Sequence, residues 1–289
     1  MKILVIGYGL IARSIVQNLE KDGHSIQVFS RTVHKEIQSQ QVLGDIFDFD
    51  RFLHVLQWKP QIVIHTAWIT TPGTYRDDPL NYRYAEFTSK LAEFIAHSDV
   101  EHLIVLGTCA EYGRQIEPCQ AGKTNQAPST LYAQQKVEAH KSVRKLLEGS
   151  RVRFTWARIF YPYGPNQDSR RLIPKLIHAI TSGNQICLQD TSSIYDWISA
   201  RDIAEAINWI IRHELPSEID IGTSVGFTNL QVLEILEGLL YPGKKPIVHG
   251  EHNFGLNEMF TVSTDSTLLS SGWRPKDTLQ SGLHWVITS

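Results

Sequence analysis

Ile3-Leu4-Val5-Ile6-Gly7-Tyr8-Gly9-Leu10-Ile11-Ala12 decides how the rest of the chain is read. Four consecutive apolar residues fit a short strand buried on both faces, as in a parallel sheet. A turn with two glycines follows at once. Behind it a helical pattern runs to Leu19, and Gly23 suits its end. Strand, Gly-x-Gly-x-x-Ala turn and helix, in that order, form the fingerprint of a dinucleotide cradle. Gly7 permits the tight turn. Gly9 lets the backbone approach a pyrophosphate, with Leu10 and Ile11 at the positive end of the helix. Ala12 keeps helix and strand close. The expectation is an α/β fold of the Rossmann type, a doubly wound parallel sheet.

The next strand, residues 25–29, ends in Ser30-Arg31. A cradle for NAD usually places Asp or Glu near this point to hold the ribose 2′-hydroxyl. Here a hydroxyl and a guanidinium stand instead, and Arg31 suits a 2′-phosphate. NADP is therefore the preferred cofactor and NAD the alternative; Arg31 as a solvated loop charge is the plain reading. Asp45, followed by Ile46, is placed either to accept from the adenine amino group or to cap the helical pattern at 48–57.

Two more strands, 61–65 and 102–106, end in Thr66-Ala67-Trp68 and Gly107-Thr108-Cys109. In open α/β sheets the ligand lies outside the carboxyl ends of the strands. Ala67 leaves room for the cofactor, Thr66 stands beside it, and Trp68 either walls the substrate or packs in the core. The Thr108 hydroxyl is positioned to hydrogen-bond a substrate oxygen. Cys109 is a neighbour with no sign of a reactive thiol. A helix over 80–97 lies between these strands. After a loop, Ser129 is the expected N-cap of a second long helix carrying Tyr132-Ala133-Gln134-Gln135-Lys136. Residues four apart share a helix face, so the Lys136 ammonium can reach the Tyr132 hydroxyl and lower its pKa from about 10. A phenol tuned in this way can give or take a proton while a hydride moves to or from a cofactor. By itself Tyr-x-x-x-Lys is as readily a surface tyrosine and a solvated lysine.

Composition narrows the class. The 289 residues are 42% hydrophobic and 20% charged, with a net charge of -2, which favours neither nucleic acid nor an anionic membrane. No apolar run reaches the roughly 18–20 residues of a membrane span. Cys109, Cys119 and Cys187 make an odd number without metal spacing, and the 12 histidines form no metal motif, so neither a disulfide framework nor a bound metal is expected. Arg13 breaks the opening apolar stretch and no small-x-small cleavage site follows, which points to the cytoplasm.

Taken together, these motifs resemble an extended short-chain dehydrogenase/reductase, in the NAD(P)-dependent epimerase/dehydratase family that acts on nucleotide sugars. The resemblance runs from Met1 to about Leu283. It also rests on residues 60–67, on 108–113, on Arg158-Ile159-Phe160-Tyr161-Pro162-Tyr163-Gly164-Pro165, on Arg201-Asp202-Ile203-Ala204 and on Gly272-Trp273-Arg274-Pro275.

The resemblance implies a catalytic set of Thr108, Tyr132 and Lys136, with Ile159 beside the cofactor. It implies a dinucleotide-binding domain of residues 1–160 with 193–221, and a smaller α/β substrate-binding part of 161–192 with 222–289. It further implies a homodimer through the helices near 80–97 and 129–147. Tyr161 and Tyr195 stand where many relatives have Asn and Arg against the sugar diphosphate. Arg170, Arg171 or Lys175 is expected to supply the missing charge.

Dehydratases of this family carry an Asp-Glu pair directly after the catalytic Ser or Thr; here those positions are Cys109 and Ala110, and Glu111 comes one residue late. The pattern therefore favours an NADPH-dependent reductase of a nucleotide-linked 4-keto (6-deoxy) sugar. A nucleotide-sugar epimerase acting at C4 or a related carbon, or a reductase of another carbonyl, are the alternatives.

Overall fold

The computed structural model describes residues 1–185, 188, 190–241, 259–264 and 267–289; Cys187 lies outside them. Seven strands form the main sheet: β1 (Lys2–Ile6), β2 (Ser25–Ser30), β3 (Gln40–Leu43), β4 (Ile62–His65), β5 (His102–Thr108), β6 (Arg153–Ile159) and, far along the chain, β9 (Glu218–Ile221). Their order is β3-β2-β1-β4-β5-β6-β9, and every adjacent pair is parallel. The order reverses between β1 and β4, the switch point where such sheets open a crevice.

Alternation along β1 shows why both faces are covered. Ile3 and Val5 join a core with Ile15, Val16, Ile203 and Ile207, from α1 (Leu10–Lys21) and α6 (Ala200–Arg212). Leu4 and Ile6 join a second core on the opposite face. Its helical members include Phe52 of α2 (Phe49–Leu56), Leu91 and Ile95 of α3 (Leu80–Ala96), and Val143 of α4 (Leu131–Leu146). Each of these aliphatic side chains is withdrawn from water almost completely, a contribution of about 2 kcal/mol apiece. Helix α1 buries Ala12, Ile15, Val16 and Leu19, spaced three, four and seven residues apart. Its end is a left-handed turn at Gly23, with φ +71°.

A second, four-stranded sheet centres on β8 (Ile194–Ser199). It pairs with β7 (Tyr161–Tyr163) and with the short β11 (Phe260–Thr261) in parallel, and with β10 (Gly226–Thr228) antiparallel. Helices α5 (Leu172–Ser182), α7 (Asn229–Leu240) and α9 (Leu279–Thr288) enclose a third core with it, around Tyr163, Leu176, Leu236 and Leu283. The short α8 (Thr267–Ser270) adds Leu268 to the first core.

Residues 193–221, expected to rejoin the main sheet together, divide instead. Tyr195 and Trp197 turn β8 into the third core, while the apolar face of α6 and strand β9 belong to the first. Thr130, not Ser129, caps α4: its hydroxyl accepts the Ala133 N–H at 3.3 Å. Among the described residues no helix is long and apolar enough to cross a membrane.

Candidate active site

The crevice begins at the turn after β1. Gly7 has φ +90°, and a Cβ there would lie 2.9 Å from Ala67 Cα, so the turn and the end of β4 are packed backbone to backbone. Gly9, the N-cap of α1, behaves differently. Its φ is -103°, and a Cβ there would have nothing within 4 Å. No side chain caps α1 and its first turn carries no acid, so its N–H groups remain available to an anion. The Thr66 N–H and hydroxyl both donate to Ile6 O at 2.9 Å, which locks the end of β4 to the turn.

At the end of β2, Ser30 is buried and its hydroxyl donates to Thr32 O at 2.8 Å, whereas Arg31 is exposed. The charges of Arg31 and Asp45 both act on the Tyr84 hydroxyl, so all three groups share one end of the crevice. Asp45 does not cap α2. Its carboxylate accepts the Phe47 N–H at 3.0 Å in a tight turn, and Asp48 caps α2 through the Arg51 N–H. Ile46 is buried under this turn and Ile159 at the end of β6. The cradle fits a dinucleotide: an open helix end, a glycine facing free space, and an exposed guanidinium at the end of β2.

Tyr132 and Lys136 extend from the first turns of α4, and Thr108 from the end of β5. The Thr108 side chain, whose hydroxyl accepts the Ala110 N–H at 3.3 Å, stands beside the Tyr132 hydroxyl. Lys136 is buried. Its ammonium donates to Leu106 O at 2.6 Å and lies 3.8 Å from the centre of the Trp68 ring, a cation–π contact. The expectation that Lys136 lowers the phenol's pKa is not met in this arrangement. Burial raises the Tyr132 phenol above its ordinary value against the pull of the neighbouring Thr108 side chain, and burial brings the Lys136 ammonium down to about 7. The amine has left water and turned to a carbonyl and an indole face, while Tyr132 is partly buried.

Glu111 is also buried, but it does not face the crevice as a free acid. It accepts from the Thr108 N–H at 2.9 Å, from Trp156 Nε1 at 2.9 Å and from Arg158 Nε at 2.6 Å. Arg158 in turn donates to Glu218 at 3.0 Å. With Thr108 the carboxylate completes a capping box over the 3-10 turn Cys109–Tyr112. A Cβ at Gly107 would meet Glu111 Oε1 at 2.7 Å, so this glycine is required by close approach. Burial, reinforced by the neighbouring Cys119, holds the Cys109 thiol well above its ordinary value, so it is no nucleophile at neutral pH.

The loop over 69–79 lies against Tyr132. Trp68 Nε1 donates to Asn81 Oδ1 at 2.7 Å, and Asn81 donates to Tyr75 O and Asp78 O at 2.7 and 2.8 Å. The Tyr132 N–H donates to Arg76 O at 2.8 Å. These bonds strap the loop over α4, and the Tyr75 ring stands edge-on to Tyr132 at 5.0 Å. Trp68 serves as a buried wall, stacked on Tyr84 at 5.6 Å.

From the second sheet, Tyr161 packs on Tyr195 at 4.5 Å, and the Tyr195 hydroxyl donates to Asp190. Arg170 does not reach the crevice; it forms a bidentate pair with Asp168, at 2.9 and 2.7 Å. Arg171 does reach the strap. It donates to Thr70 O at 2.5 Å and lies 5.3 Å from the centre of the Tyr75 ring.

A model of the NAD dependent epimerase/dehydratase family matches residues 3–222. The chain belongs to this family. The match contains the cradle, Thr108, Tyr132 and Lys136, and ends just after β9. Among curated relatives, the low-salt glycan biosynthesis protein Agl12 of Haloferax volcanii is 24% identical over 199 residues. That alignment covers 68% of this chain and 64% of Agl12, just under two thirds of its length. A UDP-glucose 4-epimerase of Streptococcus mutans is 23% identical over 312 residues, 96% of this chain and 92% of that protein. Among solved structures, the Thermus thermophilus UDP-glucose 4-epimerase in complex with NAD aligns with a TM-score of 0.86 at 23% identity, over 100% of this chain and 98% of that one. The likeness to it is one of fold.

Within this epimerase/dehydratase scaffold Thr108 stands at the end of β5, with Tyr132 and Lys136 on the first turns of α4, yet several groups at the crevice carry no sequence signal. Tyr75 and Arg76 sit in a loop without periodicity. Asn81 reads as an ordinary helix residue. Lys136 meets Leu106 and Trp68 only because β4, β5 and α4 come together in space.

Proposed function

We propose that this enzyme moves a proton and a hydride at one carbinol/carbonyl carbon of a nucleotide-linked sugar, as an NADPH-dependent reductase of a 4-keto (6-deoxy) sugar. The observation that carries this reading is the company of the Tyr132 hydroxyl. Its neighbour is the Thr108 side chain, and the nearest carboxylate in sequence, Glu111, is committed to Arg158, Trp156 and a backbone N–H. Water elimination needs further proton carriers; reduction of a ketone needs one. A phenol raised above its ordinary pKa is protonated at neutral pH, the form that donates to a developing alkoxide. Thr108 orients the same oxygen. Lys136, brought down to about 7 by burial, places its amine behind the phenol.

The dinucleotide, when bound, supplies the hydride. The backbone at Gly7, Gly9, Leu10 and Ile11 would hold its pyrophosphate, and Thr66, Ala67 and Ile159 would border its inner half. Arg31, exposed at the end of β2 in place of an acid, supports NADPH over NADH. Tyr161, Tyr195 and Trp68 would line the sugar's side.

A nucleotide-sugar 4-epimerase is the second reading. It is supported by the match of this chain along nearly its whole length to UDP-glucose 4-epimerases, and it too needs a single tyrosine as proton carrier. Purified enzyme incubated with NADPH and, in separate assays, a nucleotide-linked 4-keto-6-deoxy sugar or a nucleotide-linked 4-hydroxy hexose separates the two. One NADPH consumed per sugar reduced supports the reductase. Two sugars interconverting at constant cofactor support the epimerase, and loss of water without either would overturn both.

A further inference from the structure

Two guanidiniums at the mouth of the crevice lack acidic partners. Arg76 is exposed and Arg171 half-buried, and among the described residues neither is in an ion pair. By contrast Arg170, Arg201 and Arg212 are each paired with an aspartate. Both arginines converge on Tyr75: the Arg76 charge acts on its hydroxyl, and the Arg171 guanidinium lies 5.3 Å from the centre of its ring.

Neither is loosely placed at its base. Arg76 O accepts the Tyr132 N–H at 2.8 Å, the Tyr75 carbonyl is held by Asn81, and Arg171 is tethered to Thr70 O. The strap's own carboxylates do not neutralise Arg76. Asp78 accepts the Leu80 N–H at 2.8 Å, and neither Asp77 nor Asp78 comes within ion-pair distance of it.

The charge of Arg76 reaches across the crevice and acts on the Tyr161 and Tyr195 hydroxyls of the second sheet. Tyr195 is occupied, donating to Asp190, and the Tyr161 ring packs on Tyr195 at 4.5 Å. Burial keeps both above their ordinary range, so they remain neutral and bring no charge of their own.

We infer that Arg76, with Arg171 over the Tyr75 ring, forms a phosphoryl-binding site for the charged arm of the substrate, carried on the strap over 69–79. Planar guanidinium forks match phosphoryl oxygens in pairs, and two of them suit a group bearing two or more negative charges. The spacing also fits. Tyr75 separates this site from Tyr132 by the width of one aromatic ring, which places the charged arm at the far side of a sugar whose reacting carbon faces the Tyr132 hydroxyl. Specificity for a phosphorylated carrier then comes from the strap, and neutral sugars are discriminated against at the same place.

The inference rests on the substrate being a nucleotide-linked sugar, and calorimetry can separate the two ideas. Inorganic pyrophosphate is titrated into the protein with its cradle filled by saturating NADP⁺, so that the α1 terminus does not compete. The parent is expected to bind it. Arg76→Ala and Arg171→Ala should each weaken binding at least about tenfold, and Arg76→Lys, a point charge without the fork, by less. Arg212→Ala, at the opposite end of the main sheet, serves as the control for lost net charge and should bind as the parent does. Circular dichroism confirms that the exposed-site variants are folded. No pyrophosphate binding by the parent, or equal binding by Arg76→Ala, overturns the site. Pyrophosphate held through Arg76 without turnover of any nucleotide sugar supports the site and overturns the proposed reaction. Turnover of a nucleotide sugar with a KM indifferent to Arg76→Ala overturns the site alone.

Discussion

The Tyr132 hydroxyl and the Arg31 guanidinium lie at opposite ends of the crevice, and their proposed roles can be removed one at a time. Tyr132→Phe deletes the proton carrier and leaves the ring against Trp68 and Tyr75. Turnover is expected to fall by about 10²–10⁴-fold, while the dinucleotide dissociation constant, measured by calorimetry, changes by less than about twofold because the cradle is untouched. Turnover at the parent rate would show that another group carries the proton. Arg31→Ala should weaken NADPH by at least about tenfold, roughly 1.4 kcal/mol, and NADH much less; equal losses for the two cofactors would mean that Arg31 does not read the 2′-phosphate. At this scale the sequence was informative about identity and poor on surroundings. Spacing alone put Tyr132 and Lys136 on one helical face. It held no trace of the Leu106 carbonyl, the Trp68 ring face or the buried Glu111–Arg158 pair, because these come from segments far apart in the chain.

Among the elements, the β1–α1 turn carries the sharpest test, since its two glycines are needed for different reasons. Gly7 is constrained by the protein itself, through a φ of +90° and the contact with Ala67. Gly7→Ala should therefore lower stability by roughly 1–3 kcal/mol and abolish dinucleotide binding together. Gly9 has an ordinary φ and free space around it. Gly9→Ala should leave the urea midpoint unchanged or slightly raised, since a methyl narrows the unfolded ensemble, yet weaken the dinucleotide by an order of magnitude or more. A Gly9→Ala protein that binds NADPH like its parent would show that no pyrophosphate lies over this turn. The elements most legible beforehand were those buried on both faces, β1, β4 and β5, whose runs are continuously apolar. Strand β3 escaped notice because it pairs with only β2 and opens on two glutamines. The short β7, β10 and β11 have two or three residues each, too few for any period to register, and they are strands only because β8 lies between them.

For the whole molecule, assembling both cores around the sheet withdraws ionisable groups from water, and stability should depend on pH in a direction that can be derived. His65 and His102 are buried in the main sheet, and burial pulls each down to about 3. Arg153 donates to His102 Nδ1 at 2.6 Å, which leaves the ring's proton on Nε2 facing Thr155 at 2.9 Å; a second proton would have to displace that guanidinium. His140, against Trp156, is brought down to about 4. Between these values and about 6.5 the unfolded chain binds protons that the fold does not. The stability contributed by each neutral imidazole is therefore whole above about pH 6.5 and declines below it, by about 1.4 kcal/mol per pH unit. Asp220, buried under Tyr112 and raised to about 7, acts in the opposite sense: its contribution is whole below about pH 4 and is lost as pH rises through 7. Burial raises Glu111 in the same direction, with Arg158 opposing. Three histidines outweigh these two acids, so the urea midpoint should fall as pH drops from 6.5 to 5. His102→Gln retains a donor toward Thr155 and an acceptor for Arg153 but cannot titrate. Its midpoint at pH 7 is expected to be lower than the parent's, through imperfect packing, while its decline from pH 6.5 to 5 is shallower by about 1.4 kcal/mol per unit. An unchanged slope would mean that the His102 proton uptake is the same in the folded and unfolded chains, and that the acid response arises elsewhere.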